Sequence, residues 1–395
     1  MVSSRRVVQV ALIGLLAFCS FGCQKARSGE AVAKVDSPKF LPAPIQVKED
    51  READDLSRFL AGMPGRPGSP YEALQQSEAW AQHVQETDQL WQLSQEERFT
   101  RMAKFQKNEL SVAPFAGGTL FYPFGGPDAM TALTLFPEKR QYVLVGLEPP
   151  GTMPRLAQFH TETVAKPLTR MRTTTFSLLK RSFFITAEMD RQLRGQVTDG
   201  VLPVILVQLV RSGHRIVGYK TVTIDQDGKI ADRDPGLREK ILNRGVAIEF
   251  ENDNDKRHQT LVYLSTNLAS DRLGKNEPFL KYMANLRPET TFFKSTSYMP
   301  HNDGFSVIRE EVLKNTSAVV QDDSGIPFRF FDQKAWQVQL YGDYDKPYGS
   351  FRYLQQMDLK SAFQRKESVK PLDFPIGYGY KRIPSNLLVA RKASS

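Results

Sequence analysis

The chain predicts an α/β fold: a largely parallel sheet with an antiparallel insertion, preceded by a helical segment. Three observations predict it. The length of 395 residues is two to three domain lengths, enough for a sizeable core. A hydrophobic content of 41% and a charged content of 25% are those of ordinary globular protein, which excludes collagen-like, coiled-coil and wholly disordered chains. From residue 112 onward, short apolar runs alternate with segments of helical period, the pattern of strands joined by crossover helices. Between 203 and 265 the apolar runs follow one another directly, which reads as antiparallel hairpins.

Residues 1–22 read as a secretory signal. Arg5 and Arg6 precede a charge-free stretch from Val7 to Phe18, and small residues follow. That stretch is too short to span about 30 Å of hydrocarbon as a permanent helix. Residues 23–48 carry no sustained period and hold Pro38, Pro42 and Pro44, which suits a flexible tether. Residues 49–111 form a helical preface. Asp50 to Met63 sets Leu56, Phe59 and Leu60 on one face. Ser69 with Glu72, and Ser94 with Glu97, have capping-box spacing, each opening a helix.

Residues 112–395 form the α/β body. Strands are expected at Thr119–Tyr122, Tyr142–Leu147, Val204–Val210, Arg215–Ile224, Val246–Phe250, Leu261–Leu264, Thr291–Lys294, Ala318–Gln321, Val338–Tyr341 and Leu387–Ala390. Helices are expected at Pro127–Phe136, Lys166–Arg194, Pro278–Leu286, Phe305–Leu313 and Ser350–Arg365.

Five histidines and two cysteines exclude a disulfide scaffold and a Cys-rich zinc module. The net charge of +9 suits anionic envelope surfaces, but the lysines and arginines are spread evenly, so the charge reads as solubility. No G-x-S-x-G, H-E-x-x-H, C-x-x-C or P-loop occurs. No resident cofactor or metal is therefore expected, and nucleic acid is not an expected partner of an exported chain.

Gly22-Cys23 at the end of the leader resembles the lipobox of bacterial lipoproteins. The resemblance implies that Cys23 is acylated and becomes the first residue of the mature chain. Gln24 after it implies the outer membrane, facing the periplasm. The segments FYPF (121–124) and QDDSGIP (321–327) are similar to those of bacterial envelope proteins with no assigned activity.

Two constellations carry chemistry. In the first, Gly125, Gly126 and Asp128 follow a strand, and Glu148 ends the next strand about twenty residues later. Glycines there let backbone approach a ligand, and a carboxylate at that spacing binds sugar hydroxyls. The same residues suit a tight packing turn. This unit resembles the nucleotide half-site of Rossmann-like proteins, particularly S-adenosylmethionine-dependent methyltransferases, and residues 385–392 are similar to their last strand. The resemblance implies ligand contacts from Gly125, Gly126, Asp128 and Glu148, and methyl-transfer chemistry if the chain works in the cytoplasm.

In the second, His301 and Asp303 follow one predicted strand, and Asp322 and Asp323 follow its neighbour. Carboxyl ends of parallel strands share a rim, so the four would converge as a general base with acids or hard-metal ligands. Asp303 equally suits a helix N-cap, and Asp322 with Asp323 a turn. Tyrosines and glycines around 341–349 and 377–380 suit a sugar-stacking surface. Asp225–Gly228 reads as a hairpin turn. The functional expectation is an exported, lipid-anchored envelope protein that binds a partner protein or a glycan through the rim of its sheet. The alternative is an envelope enzyme using the His/Asp set.

Overall fold

In the computed structural model, residues 45–155, 159–181, 200–233, 243–379 and 385–393 are described. The leader, Cys23 and most of the tether lie outside them, as do residues 182–194 of the expected long helix.

Strand β1 (Thr119–Tyr122) is buried along its whole length. It pairs in parallel with β2 (Gln141–Gly146) on one side and β7 (Thr290–Phe293) on the other. Beyond β2 lies β6 (His258–Ser265), and beyond β7 lies β8 (Ala318–Gln321), both again parallel. Past β6 the sheet turns antiparallel through β5 (Arg244–Asn252), β3 (His214–Ile224) and β4 (Ile230–Asp232). Past β8, strand β11 (Asn386–Lys392) runs antiparallel to both β8 and β9 (Trp336–Gly342), and β10 (Val369–Lys370) closes that edge parallel to β9. The whole is one 11-stranded sheet. It is mixed rather than largely parallel. The antiparallel pairings are not confined to the hairpin edge, because β11 inserts between strands that precede it in the chain.

Alternate strand residues point to opposite faces. Leu120, Tyr122, Tyr142 and Leu144 belong to one apolar cluster, and Phe121, Val143 and Val145 to the other. Helices α1 (Arg51–Leu60), α4 (Thr100–Glu109), α5 (Ala129–Leu135) and α6 (Ala165–Arg181) supply residues to the first cluster. Helices α8 (Ser270–Leu273), α9 (Glu277–Leu286), α10 (Ser306–Asn315) and α11 (Met357–Gln364) supply the second. Strands covered on both faces become continuous apolar runs, which is why β1 and β2 stand out in the sequence. The helical preface is part of this core: Leu56, Phe59, Met102 and Phe105 share their cluster with the sheet.

Four expectations need correction. Val204–Val210 is not a strand but the heart of α7 (Leu202–Arg211). Every residue from Leu202 to Val210 is buried, so no polar face marks the helical period. The helix expected from Ser69 stops after α2 (Glu72–Gln75). A new one, α3 (Glu78–Ser94), starts where the Ser77 side chain accepts from the Trp80 N–H at 3.3 Å. Ser94 opens nothing: its hydroxyl donates to the Leu90 carbonyl, and the chain runs on through a π-helical turn, Gln95–Phe99, into α4. Finally, 350–365 divides into a 3₁₀ segment, Gly349–Leu354, and α11.

Candidate functional site

From β1 the chain crosses to β2 and β6 on one side, then returns to β7 and β8 on the other. Loops leaving β1 and β7 therefore diverge, and a crevice opens at their carboxyl ends. A cavity of about 340 Å³ lies there. Residues after β1 (Gly125, Gly126, Asp128), after β2 (Leu147, Glu148), after β6 (Thr266, Asn267) and after β7 (Lys294 to Ser297) line it, with Tyr378.

All four residues of the first constellation are at this cavity. Gly125 is required by packing: a Cβ there would meet the Tyr122 ring at 2.6 Å. Gly126 has φ +55° and donates its N–H to the Val145 carbonyl at 3.2 Å, tying the turn to β2. Asp128 caps α5, accepting from the Thr131 N–H at 3.3 Å. Its other oxygen accepts from the Tyr122 hydroxyl at 3.0 Å and from the Lys294 ammonium. Both members of that ion pair are buried, and burial lowers the Lys294 pKa while Asp128 opposes the shift. Burial, reinforced by Asp128, holds the Tyr122 phenol well above its usual range.

Glu148 lies two residues past β2 and folds back over the glycines. A Cβ on Gly146 would meet its Oε2 at 2.6 Å, and one on Gly126 would lie 3.6 Å from it. The Tyr263 hydroxyl donates to the Glu148 carbonyl at 2.9 Å and lies 3.3 Å from Oε2. Oε1 has no hydrogen-bond partner among the described residues. The rings of Phe124 and Phe305 meet edge to face, 5.7 Å apart, and both border the cavity.

The second constellation comes together only in part: His301, Asp322 and Asp323 meet between the loops after β7 and β8, and Asp303 stands apart. His301 Nε2 faces the Asp323 backbone carbonyl at 3.2 Å, not a carboxylate. Burial lowers its pKa to about 4, so the ring is neutral near pH 7. The Asp323 carboxylate accepts from the Tyr298 hydroxyl at 2.5 Å and from Asn386 at 3.0 Å. Asp322 accepts from the Ser295 N–H at 2.9 Å, the Ser324 N–H at 3.0 Å and the Ser324 hydroxyl at 2.5 Å. Burial, then the neighbouring Asp323 charge, pushes the Asp322 carboxyl above its ordinary range. These two carboxylates clamp the loops leaving β7 and β8. Asp303 is fully exposed; its nearest charge is Arg309 at 3.9 Å, and it does not cap α10, whose N-cap is Phe305. Among the described residues, no group of three His, Cys, Asp or Glu side chains is placed to hold a metal. Asp225 closes the β3–β4 hairpin as expected, accepting from Asp227 and Lys229 N–H groups at 3.0 and 2.8 Å.

Lys294 has the role that sequence reasoning missed. It lies inside the segment singled out for His301, but its partner is 166 residues away. The one local signal is a lysine ending the buried run Thr290–Phe293. No family model, no curated protein and no solved structure matches this chain.

Proposed function

We propose that the five parallel strands form a Rossmann-like sheet whose crevice binds a small uncharged ligand with vicinal hydroxyls, and that this ligand is a glycan of the cell envelope. The order β6-β2-β1-β7-β8 corresponds to 3-2-1-4-5 of doubly wound sheets, which hold ligands at the same switch point. One observation carries the reading: Glu148, at the end of the second strand, presents a free carboxylate oxygen where such sheets bind a diol. A phosphate is disfavoured, because the Asp128 carboxylate already occupies the start of α5 and neutralises Lys294, the only cationic residue lining the described cavity. Phe124 and Phe305 supply an apolar wall for a sugar face.

The leader makes the molecule an exported protein, anchored through acylated Cys23 to the outer membrane and facing the periplasm. More than one acyl chain suits stable anchoring. Among the described residues, no helix is long and apolar enough to cross a membrane. Mass spectrometry of the mature N-terminus tests this: residue 23 carrying lipid supports the anchor, and an intact leader overturns it.

Binding is tested by calorimetric titration with glucose, N-acetylglucosamine and their oligomers. Glu148→Gln weakens the sugar that binds by about 10- to 100-fold, the range of a hydrogen bond to a charged group. Equal affinity in that variant, or no binding by any sugar, overturns the reading. A second reading, a nucleoside cofactor of the S-adenosylmethionine type, is favoured by the same strand order and by β11 inserted antiparallel beside β8. S-adenosylhomocysteine, titrated in parallel, separates the two.

A further inference from the structure

The loop leaving β7 has two sides. Ser295, Thr296 and Ser297 border the switch-point cavity, whereas Tyr298 borders a second cavity of about 230 Å³. Tyr378 borders both and forms their common wall. Its hydroxyl accepts from the Ser297 N–H at 2.8 Å and donates to the Ser295 carbonyl at 2.7 Å, fixing the wall to the loop.

The loop is strained. Ser295, Ser297 and Tyr298 have φ of 53°, 54° and 55°, a left-handed conformation that non-glycine residues rarely adopt. Phe124, across the first cavity, has φ 62°. Such strain persists only where the surroundings over-determine it, and it clusters at ligand clamps. Here Asp322 holds the Ser295 N–H and Ser324 holds the Thr296 N–H, each at 2.9 Å.

The second cavity has the chemistry of a sugar subsite. Tyr298, Tyr344, Tyr348 and Tyr378 line it, and Tyr348 is 46% exposed. Asp343 and Arg352 stand at it with no side-chain partner among the described residues, so both are available to hydroxyl groups. Aromatic rings pack on the apolar faces of pyranoses, and unpaired polar groups at the rim fix orientation.

We infer that the second cavity is a further sugar subsite, so that the site takes an oligosaccharide laid across Tyr378 rather than a single sugar. This rests on the glycan reading of the first cavity. The test is calorimetry on two ladders: glucose, maltose and maltotetraose, and N-acetylglucosamine, chitobiose and chitotetraose. In one ladder the tetrasaccharide binds at least tenfold tighter than its monosaccharide, and Tyr348→Ala returns it to the monosaccharide's affinity. Glu148→Gln weakens every member of that ladder. A monosaccharide that binds and is sensitive to Glu148→Gln, with no gain on lengthening, overturns the second subsite and leaves the first intact. A gain on lengthening that survives Tyr348→Ala also overturns it. If no member of either ladder binds, both readings fall.

Discussion

Two buried lysines sit near opposite ends of β7, and they differ in what surrounds them. At the strand's start, Lys139 is wholly buried and donates to the Pro114 carbonyl at 2.7 Å and the Thr290 hydroxyl at 3.0 Å, both uncharged. Just past its other end, Lys294 meets the Asp128 carboxylate and lies 3.2 Å from the Thr131 hydroxyl. Lys294 borders the switch-point cavity, while Lys139 is packed among strand starts. Burial of a charge therefore does not mark a site by itself. Burial with a counter-charge, at the mouth of a crevice, is what sets Lys294 apart.

The largest expected effect separates these two lysines. Lys294→Met leaves Asp128 buried without its partner and costs about 3–5 kcal/mol in urea denaturation. Lys294→Met with Asp128→Asn recovers most of that loss. A cost below about 1 kcal/mol for the single variant would break the distinction between the two ends.

A buried base on the helical face supplies the next effect. His83 donates its Nε2–H to the Leu60 carbonyl, 2.8 Å away, and burial lowers its pKa to about 4. The unfolded chain takes up a proton near pH 6.5 and the folded chain does not. Stability is then fully present above that pH and falls as pH drops toward 4, by up to roughly 3 kcal/mol for this group. His301 titrates in the same window. His83→Gln flattens part of the slope; an unchanged slope would contradict the assignment.

Lys139 supplies an effect in the opposite pH range. Lys139→Met removes two hydrogen bonds, leaving the Pro114 carbonyl with the Thr290 hydroxyl alone at 2.9 Å, and costs about 1–3 kcal/mol. Burial lowers the Lys139 pKa to about 7, against an ordinary lysine near 10.5. Between these values the unfolded chain binds the proton that the folded chain has lost, so this group makes stability rise with pH. Comparing denaturation midpoints from pH 7 to pH 10, the rise is present in the native protein and diminished in Lys139→Met. The smallest effect is at the surface: Asp303→Ala changes stability by less than about 0.5 kcal/mol and leaves sugar affinity unaltered.

Legibility in the sequence followed the range of the interactions. Strands β1 and β8 are where short buried runs place them, because turn residues bound each run. The glycine turn and Glu148 were legible because local chain geometry sets their spacing. Helix α7 was misread because burial on all sides erases its period. The insertion of β11 between β8 and β9 and the pairing of Asp128 with Lys294 were both invisible, since each joins residues that nothing local connects. The His/Asp set comes together only in part, for a related reason. Its strands are neighbours, as expected, but the carboxylates after β8 reach across to bind the loop after β7, and His301 faces a backbone carbonyl.

The most direct test of the central claim is hydrogen exchange with and without saturating maltotetraose or chitotetraose, whichever binds. Slower exchange in 122–128, 146–148 and 294–298, with the remainder of the sheet unchanged, is the result expected of a ligand at the switch point. Protection confined to the β3–β5 edge or to the helices of the opposite rim would contradict it.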